Sequence, residues 1–468
     1  MSALPLISER GLDDVLAWCP SGPVTVREFL ADAHALAAQL PAGGALLNMC
    51  EDRYRFAVGF AAGLLTGKVS LQPSSQSPET LQRLAADFPG VSWLGEHADA
   101  VPGLPGMVFP DLAALPRAEV HEMPLVDAER VVAILFTSGS TGLPQPHRKT
   151  WGKLVQNGRA EAQALGLLER PQVIVGTVPI QHSYGFESTF LVALHGGCSF
   201  SSCKPFYPQD IVATLEYVPR PRMLVTTPFH LSALLASDLP LPPMDLVLSA
   251  TAPLSPELAR RVETHCGAPV HEIYGSTESS ALASRRTLDG AAWHPLHAVR
   301  LEHEGDTTYA SGGHVEGRVP LADIIEPGAD GCFLLHGRKA GAERLERLFL
   351  DIVETGWPHE RDSRLAERPD ANAPSQPTPG FGVFYVYARQ GSGADAWLEI
   401  GAAQDGRTQG WVPAERTIDW KQTMVLAFNN PAGRERAMFF REGETPRALW
   451  LNTRGGAAEA TRLREAAR

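Results

Sequence analysis

The sequence is poor in the features that assign a chain quickly. None of its six cysteines (Cys19, Cys50, Cys198, Cys203, Cys266 and Cys332) forms a C-x-x-C pair. The closest two, Cys198 and Cys203, lack a second pair or a His-x-x-x-His partner, so free thiols in a reducing compartment are expected and zinc is not. His121-Glu122 and His271-Glu272 have no histidine three residues on, which excludes the zinc-protease motif. Basic excess is missing too. A net charge of −12 excludes a general nucleic-acid binder, while leaving room for one local phosphate pocket. MSALPLISERGLDD has no basic patch before an apolar core, so no signal peptide is expected. The longest apolar stretch, Phe56–Leu65, is about half a membrane span. A cytoplasmic protein with no membrane span and no nucleic-acid partner follows as the expectation.

What is present is organised around VVAILFTSGSTGLPQPHRK, residues 131–149. Val131–Phe136 is apolar enough for a buried strand, and it empties into Thr137-Ser138-Gly139-Ser140-Thr141-Gly142. Glycines let the backbone approach an anion, while hydroxyls and N–H groups supply donors. The bland alternative is a polar surface loop. The Walker spacing Gly-x-x-x-x-Gly-Lys-Ser/Thr is absent.

At 468 residues, two or three domains are expected. Helical spacing predicts helices over Thr25–Leu40, Tyr54–Leu65, Ser77–Phe88, Trp151–Leu168, Gln209–Tyr217, Thr227–Ser237 and Pro256–His265. Short apolar runs between them predict strands at Ala45–Met49, Ser70–Pro73, Gln172–Val178, Arg222–Val225, Asp245–Leu248 and Val270–Tyr274. Four of the predicted strands empty into polar loops, and in open parallel sheets ligands sit at the carboxyl ends of strands. Pro102–Pro116 reads as a loop. Val299–His303, Asp306–Ala310 and Cys332–Leu335 read as a small β-region. Ala340–Val353 has the apolar spacing of an amphipathic helix. Arg361–Gly380, with four prolines and no periodicity, reads as a linker.

Five stretches in order carry a family resemblance. The Thr137–Gly142 turn resembles the phosphate loop of the adenylate-forming superfamily, which includes acyl-CoA synthetases. Gln181-His182-Ser183-Tyr184-Gly185 resembles its aromatic/His motif, and Ser249–Leu254 (SATAPL) its adenine loop. Tyr274-Gly275-Ser276-Thr277-Glu278 matches its Tyr-Gly-x-Thr-Glu motif. Asp323, followed by Gly337-Arg338, resembles its ribose-binding Asp and Gly-Arg elements. The resemblance covers roughly residues 10–350. Gln145-Pro146-His147, in place of the usual Lys-Gly, together with SATAPL, is similar to ligases of aryl-polyene and xanthomonadin-type pigment clusters.

The resemblance implies ATP-dependent activation of a small carboxylic acid, aryl or fatty, to an acyl-adenylate. Acyl transfer to CoA or to the phosphopantetheine thiol of an acyl carrier protein would follow. Thr137, Ser138, Gly139, Ser140, Thr141 and Gly142 would cradle phosphates. Glu278, with Thr141, would hold Mg²⁺ through oxygen ligands. Thr251, Ala252, Tyr274, Gly275, Ser276 and Thr277 would line the nucleotide, with Tyr274 on adenine. Asp323 would bind the ribose, beside Arg338. His182, Thr141 and Glu278 would be catalytic, His182 as a polar donor near the carboxylate.

The chain departs from the family's C-terminal pattern, whose lid carries a lysine in a Gly-Lys context. The only lysine after Lys339 is Lys421, in a context that does not match; Lys339 or Lys149 would have to substitute for that charge. Beyond the linker, Phe381–Ala388, Trp397–Ile400, Gly410–Val412 and Thr423–Phe428 are strand candidates. Trp-Leu-x-Ile followed by Gly-Trp-Val resembles bacterial SH3-like barrels, which implies a peptide or protein partner. The resulting fold class is α/β: an adenylate-forming domain over 1–340 with parallel and mixed sheets layered with helices, a helix and Pro-rich linker over 341–380, an SH3-like β-module over 381–445, and a polar tail over 446–468. The alternative function is a nucleotide- or acid-binding pseudoenzyme docked through the SH3-like module.

Overall fold

The computed structural model describes residues 2–73, 78–97, 103–137, 145–237, 239–305 and 307–338, and shorter runs between 346 and 450. Two compact units result, Met1–Gly337 and Arg338–Arg468. Among the described residues no helix is long and apolar enough to cross a membrane.

The first unit holds two large sheets. One has six strands in the order Gln145–Thr150, Val131–Thr137, Val69–Gln72, Ala45–Asn48, Val91–Gly95, Gly106–Val108. Only Gln145–Thr150 runs antiparallel to its neighbour; the other pairings are parallel. The second sheet has nine strands. Its parallel centre runs Val270–Ser276, Leu246–Ser249, Arg222–Thr226, Val173–Gly176, Ser199–Ser201, Val15–Cys19. Antiparallel strands flank it, Ser280–Arg286 and His294–Pro295 on one side and Gly22–Thr25 on the other. Such buried parallel strands read as short apolar runs, as these do.

The helices are set by local chemistry. Thr25 caps Val26–Ala37 in a reciprocal capping box with Glu28. Ser255 and Pro256 start Pro256–Cys266, and Gly267 ends it at φ +66°. Helix Arg53–Leu65 is rich in small residues and lies close on a sheet. A Cβ at Gly59 would come within 2.7 Å of Asn48 Nδ2 and Leu94 Cδ2.

The same helix links the two sheets. Its Phe56 and Phe60 meet Phe186 and Phe190 at ring separations of 5.3 to 6.5 Å. Phe186 and Phe190 lie on the π-helical turn Phe186–Leu191, which follows a strand of the second sheet. Burying each ring stabilises the fold by about 1.5–3 kcal/mol, so this layer outweighs any single polar contact in the unit. Arg53, wholly buried, anchors the helix start. Its Nη2 donates to the carbonyls of Gly176 (2.7 Å) and Val178 (2.9 Å), and its Nη1 to that of Cys203. Burial pulls its pKa down to about 10.

A three-stranded antiparallel sheet (Val299–Glu304, Thr307–Gly312, Arg318–Leu321) and the strands Asp323–Pro327 and Phe333–Arg338 follow.

The second unit is β-rich. A seven-stranded sheet runs Ser375–Pro377, Arg364–Ala366, Gly410–Pro413, Trp397–Gly401, Val383–Gln390, Glu346–Leu350, Thr417–Asp419. A separate three-stranded sheet holds Met424–Leu426, Met438–Phe440 and Leu449–Trp450. The helix expected over Ala340–Val353 is corrected here. Glu346–Leu350 is a strand, antiparallel to Val383–Gln390 and to Thr417–Asp419. A run of apolar residues as short as Leu348-Phe349-Leu350 suits either period, and pairing on both edges decides for the strand. Strands Arg364–Ala366 and Ser375–Pro377 likewise stand inside the stretch expected to be a Pro-rich linker.

Candidate active site

The strand Val270–Ser276 leaves the second sheet through Thr277 and Glu278, and the polar contacts of the site are strung along this exit. At one end the Tyr274 hydroxyl donates to Asp323 Oδ2 at 2.8 Å. The half-buried Tyr274 ring packs at 5.8 Å from Trp293 and 5.9 Å from Phe333, and Trp293 carries the Arg285 guanidinium 4.5 Å above its ring. A bulge falls between Tyr274 and Gly275. A Cβ on Gly275 would sit 2.3 Å from the Ser280 carbonyl oxygen, so only glycine permits this close strand exit.

In the middle, Ser276 and Ser279 exchange hydrogen bonds. Each main-chain N–H donates to the other's hydroxyl, at 3.2 and 3.3 Å. Thr277 Oγ1 lies 3.3 Å from Ser183 Oγ. At the far end Glu278 Oε1 is 4.0 Å from His147 Nε2, which is 3.2 Å from Thr137 Oγ1. Thr137 is the last residue of its strand, paired with Gln145. Carboxyl ends of strands from both sheets therefore converge on residues 274–278.

His182 is exposed and caps the short turn Ser183–Gly185. Its Nδ1 accepts the Tyr184 N–H at 3.3 Å, leaving the proton of a neutral ring on Nε2 as a donor. Tyr184 is buried, its hydroxyl donating to the Leu248 carbonyl at 3.0 Å. That bond ties the His182 turn to the strand Leu246–Ser249. Thr251 and Ala252, just beyond that strand, are exposed, and Thr251 adopts φ +77°. Of the phosphate-loop residues, Thr137 is described. Ser138, Gly139, Ser140, Thr141 and Gly142 lie outside the described residues, as do the side chain of Arg338, Lys339 and Lys421.

Sequence reasoning did not foresee the polar group beneath Glu278. Lys149 is buried, and its Nζ donates to the Glu278 carbonyl (3.2 Å) and to Ser280 Oγ (2.9 Å). The Lys149 ammonium is thus engaged with the Glu278 main chain and the Ser280 hydroxyl. Burial lowers its pKa, opposed by Glu187, Glu316 and Glu278. Burial raises that of Glu187, opposed by Lys149. His147 is lowered by burial, with Glu278 opposing and Lys149 adding. The available signal was the spacing of His147 and Lys149, two apart and so on one face of a strand.

Comparison with known proteins bears on the family and the fold. A family model described as AMP-binding enzyme matches residues 55–311, more than half of the chain. The 4-coumarate–CoA ligase of Rhodobacter capsulatus is 27% identical over 301 residues, 57% of this chain and 76% of that protein. The 4-coumarate–CoA ligase of Halorhodospira halophila is 32% identical over 188 residues, 37% of this chain and 41% of that one. The 4-chlorobenzoate–CoA ligase of Arthrobacter is 29% identical over 154 residues, 31% and 29% of the two chains. The chain thus spans three quarters of the first relative and less than half of the other two.

Among solved structures, the o-succinylbenzoate CoA synthetase of Bacillus subtilis, in complex with its acyl-adenylate intermediate, superposes with a TM-score of 0.62 at 16% identity. The match covers 74% of this chain and 80% of that one. ATP-bound MatB of Rhodopseudomonas palustris gives 0.60 at 18%, covering 79% and 84%. At these identities the likeness shows the fold, which is that of the adenylate-forming enzymes. The fold and the match over residues 55–311 lead to one conclusion: this chain belongs to the AMP-binding enzyme family.

Proposed function

We propose that this protein uses ATP to activate a carboxylic acid, with an aryl acid preferred, and passes the acyl group to a thiol, that of CoA in the first instance. The carrying observation is the line of contacts along residues 274–278. It has an acceptor for a ribose at one end (Asp323, held by the Tyr274 hydroxyl) and the strand end leading into a hydroxyl- and glycine-rich loop at the other (Thr137, His147 and Glu278). Four residue steps span at most roughly 13 Å of extended chain, a separation suited to the two ends of a nucleoside triphosphate. The aryl preference draws on the relatives, whose named substrates are 4-coumarate and 4-chlorobenzoate, and on the pigment-cluster resemblance of Gln145-Pro146-His147. An acyl carrier protein is the second acceptor of this proposal.

The reaction has the acid's carboxylate attack the α-phosphorus of ATP, with pyrophosphate leaving. Protein groups mainly position the reactants and offset charge. Asp323, already accepting from Tyr274, has further lone pairs for ribose hydroxyls. Tyr274, Gly275, Ser276, Thr277, Thr251 and Ala252 would line the nucleoside. Thr137 and the residues up to Gly142 would donate to the phosphates, with Arg338 beside the ribose. His182 Nε2–H would orient the acid's carboxylate.

Magnesium fits the donors present. The Glu278 carboxylate is 40% exposed, and its ion-pair neighbour among the described residues is His147 at 4.0 Å, with the Thr137 hydroxyl 3.2 Å beyond that histidine. Magnesium is typically held by one or two carboxylates plus substrate phosphates, not by an all-protein cage. Bound there, it supplies charge neutralisation on the phosphates. Glu278, with Thr141, would hold it.

For the second unit we propose an SH3-like docking role. It is supported by the antiparallel meander Val383–Gln390, Trp397–Gly401, Gly410–Pro413. Loss of partner retention on deleting residues 381–468, with acid activation intact, is its test.

The main proposal is tested by acid-dependent exchange of pyrophosphate into ATP, over a panel of aryl and fatty acids. Exchange with at least one aryl acid is expected, and Glu278→Ala should abolish it. No exchange with any acid by protein that still binds ATP would sink the enzyme reading.

A further inference from the structure

Two side chains of one strand reach the same acid by different routes. In Gln145–Thr150 alternate residues share a face, and both His147 and Lys149 are directed at Glu278. Lys149 holds its main chain, through the carbonyl at 3.2 Å and the neighbouring Ser280 hydroxyl at 2.9 Å. His147 faces its carboxylate at 4.0 Å while contacting Thr137 Oγ1 at 3.2 Å.

The surroundings fix Lys149 in turn. Glu316 Oε1 accepts both the N–H and the hydroxyl of Thr150, the next residue, at 2.7 Å each. Glu187 Oε2 accepts the Ala281 N–H at 2.8 Å, just past Ser280. A buried ammonium is costly unless charged and polar partners surround it, and this one has both. If Lys149 served only to neutralise buried carboxylates, nothing would require its Nζ to bond the Glu278 carbonyl.

We propose that His147 and Lys149 are positioning residues, a two-point clamp in which Lys149 holds the Glu278 main chain by a hydrogen bond and His147, in contact with Thr137 Oγ1, backs the Glu278 carboxylate at 4.0 Å. The clamp thereby sets the affinity for the nucleotide-bound divalent cation. This inference rests on the metal role proposed above for Glu278.

The test measures binding, not turnover. Mn²⁺ affinity is titrated by electron paramagnetic resonance in the presence of ATP, and metal-free ATP affinity by calorimetry, for His147→Ala, Lys149→Met and Glu278→Gln. Outer partners of a metal ligand typically change metal affinity by about 10–100-fold. A weakening of Mn²⁺ binding by about 10-fold in both His147→Ala and Lys149→Met is therefore expected, larger than any loss of metal-free ATP affinity in the same variant. Glu278→Gln should lose more. Wild-type Mn²⁺ affinity in His147→Ala, alongside loss in Glu278→Gln, overturns the clamp and leaves the role of Glu278 standing. Wild-type affinity in Glu278→Gln removes the metal role, and the clamp with it. Should Lys149→Met fail to fold, His147→Ala decides alone, since its side chain is 22% exposed.

Discussion

Replacing Arg53 with methionine tests how the first sheet is coupled to the His182 turn. The guanidinium is wholly buried and gives hydrogen bonds to three carbonyls, those of Gly176, Val178 and Cys203. Methionine fills similar volume but donates nothing. A buried carbonyl left without its partner costs about 1–3 kcal/mol, so three set an upper range of about 3–9 kcal/mol. Removing a buried charge recovers part of this. A net loss of about 3–5 kcal/mol is the expectation, in line with the usual cost of leaving one side of a buried charged contact unpaired. Urea unfolding followed by tryptophan fluorescence measures it. Arg53→Lys should fall between, because an ammonium on a shorter stem lacks the planar fork that reaches all three acceptors. The chain from Gly176 leads to His182, so the acid's kcat/KM should drop as well. A loss below about 1 kcal/mol would refute the reasoning, since the carbonyls would then be satisfied without Arg53.

Tyr274→Phe removes the donor to Asp323 and should weaken ATP binding while stability falls by about 1–2 kcal/mol; calorimetry and thermal melts separate the two. Gly275→Ala places a methyl 2.3 Å from the Ser280 carbonyl oxygen and should cost more than about 2 kcal/mol, with pyrophosphate exchange lost, because backbone must move. Glu161, buried in the helix Trp151–Ala164, has its pKa pushed up to about 8, first by burial and then by Glu187, with Ser188 opposing. Between its ordinary value and about 8, the unfolded chain gives up this proton while the folded chain keeps it. Folding stability therefore falls as pH rises through that window. Glu161→Gln should flatten that slope and raise the melting temperature more at pH 8 than at pH 5; an unchanged slope would contradict the assignment.

Much of the first unit can be read from the sequence because its signals are local. The predicted helix Thr25–Leu40 is Val26–Ala37, and the predicted strand Val270–Tyr274 is Val270–Ser276. Differences of a few residues at the ends are ordinary. Strands that form because a neighbouring strand offers an edge, without a pattern of their own, are not legible. Gln145–Thr150, QPHRKT, has no apolar alternation and forms because Val131–Thr137 offers an edge. Ser280–Arg286 pairs back on Val270–Ser276 in the same way. At the site, Tyr274 with Asp323 and Thr277 with Ser183 join residues singled out by motif. Lys149 with Glu187 and Glu316 could not be read, because only the packed fold brings those three elements together.

The place of Val15–Cys19 in the second sheet bears on how the chain is made. This strand pairs in parallel with Ser199–Ser201, which leaves the ribosome about 180 residues later. At roughly 5–20 residues per second it waits roughly ten to forty seconds for that partner. During that interval its only ladder partner is its hairpin mate Gly22–Thr25, which covers one edge. The other edge, with Leu16 and Ala17 destined for full burial, stays open. Synthesis of the first unit thus passes through a period of aggregation risk, set by topology and not by final stability. Substitutions that weaken the Gly22–Thr25 hairpin should lower yield before they lower the melting temperature.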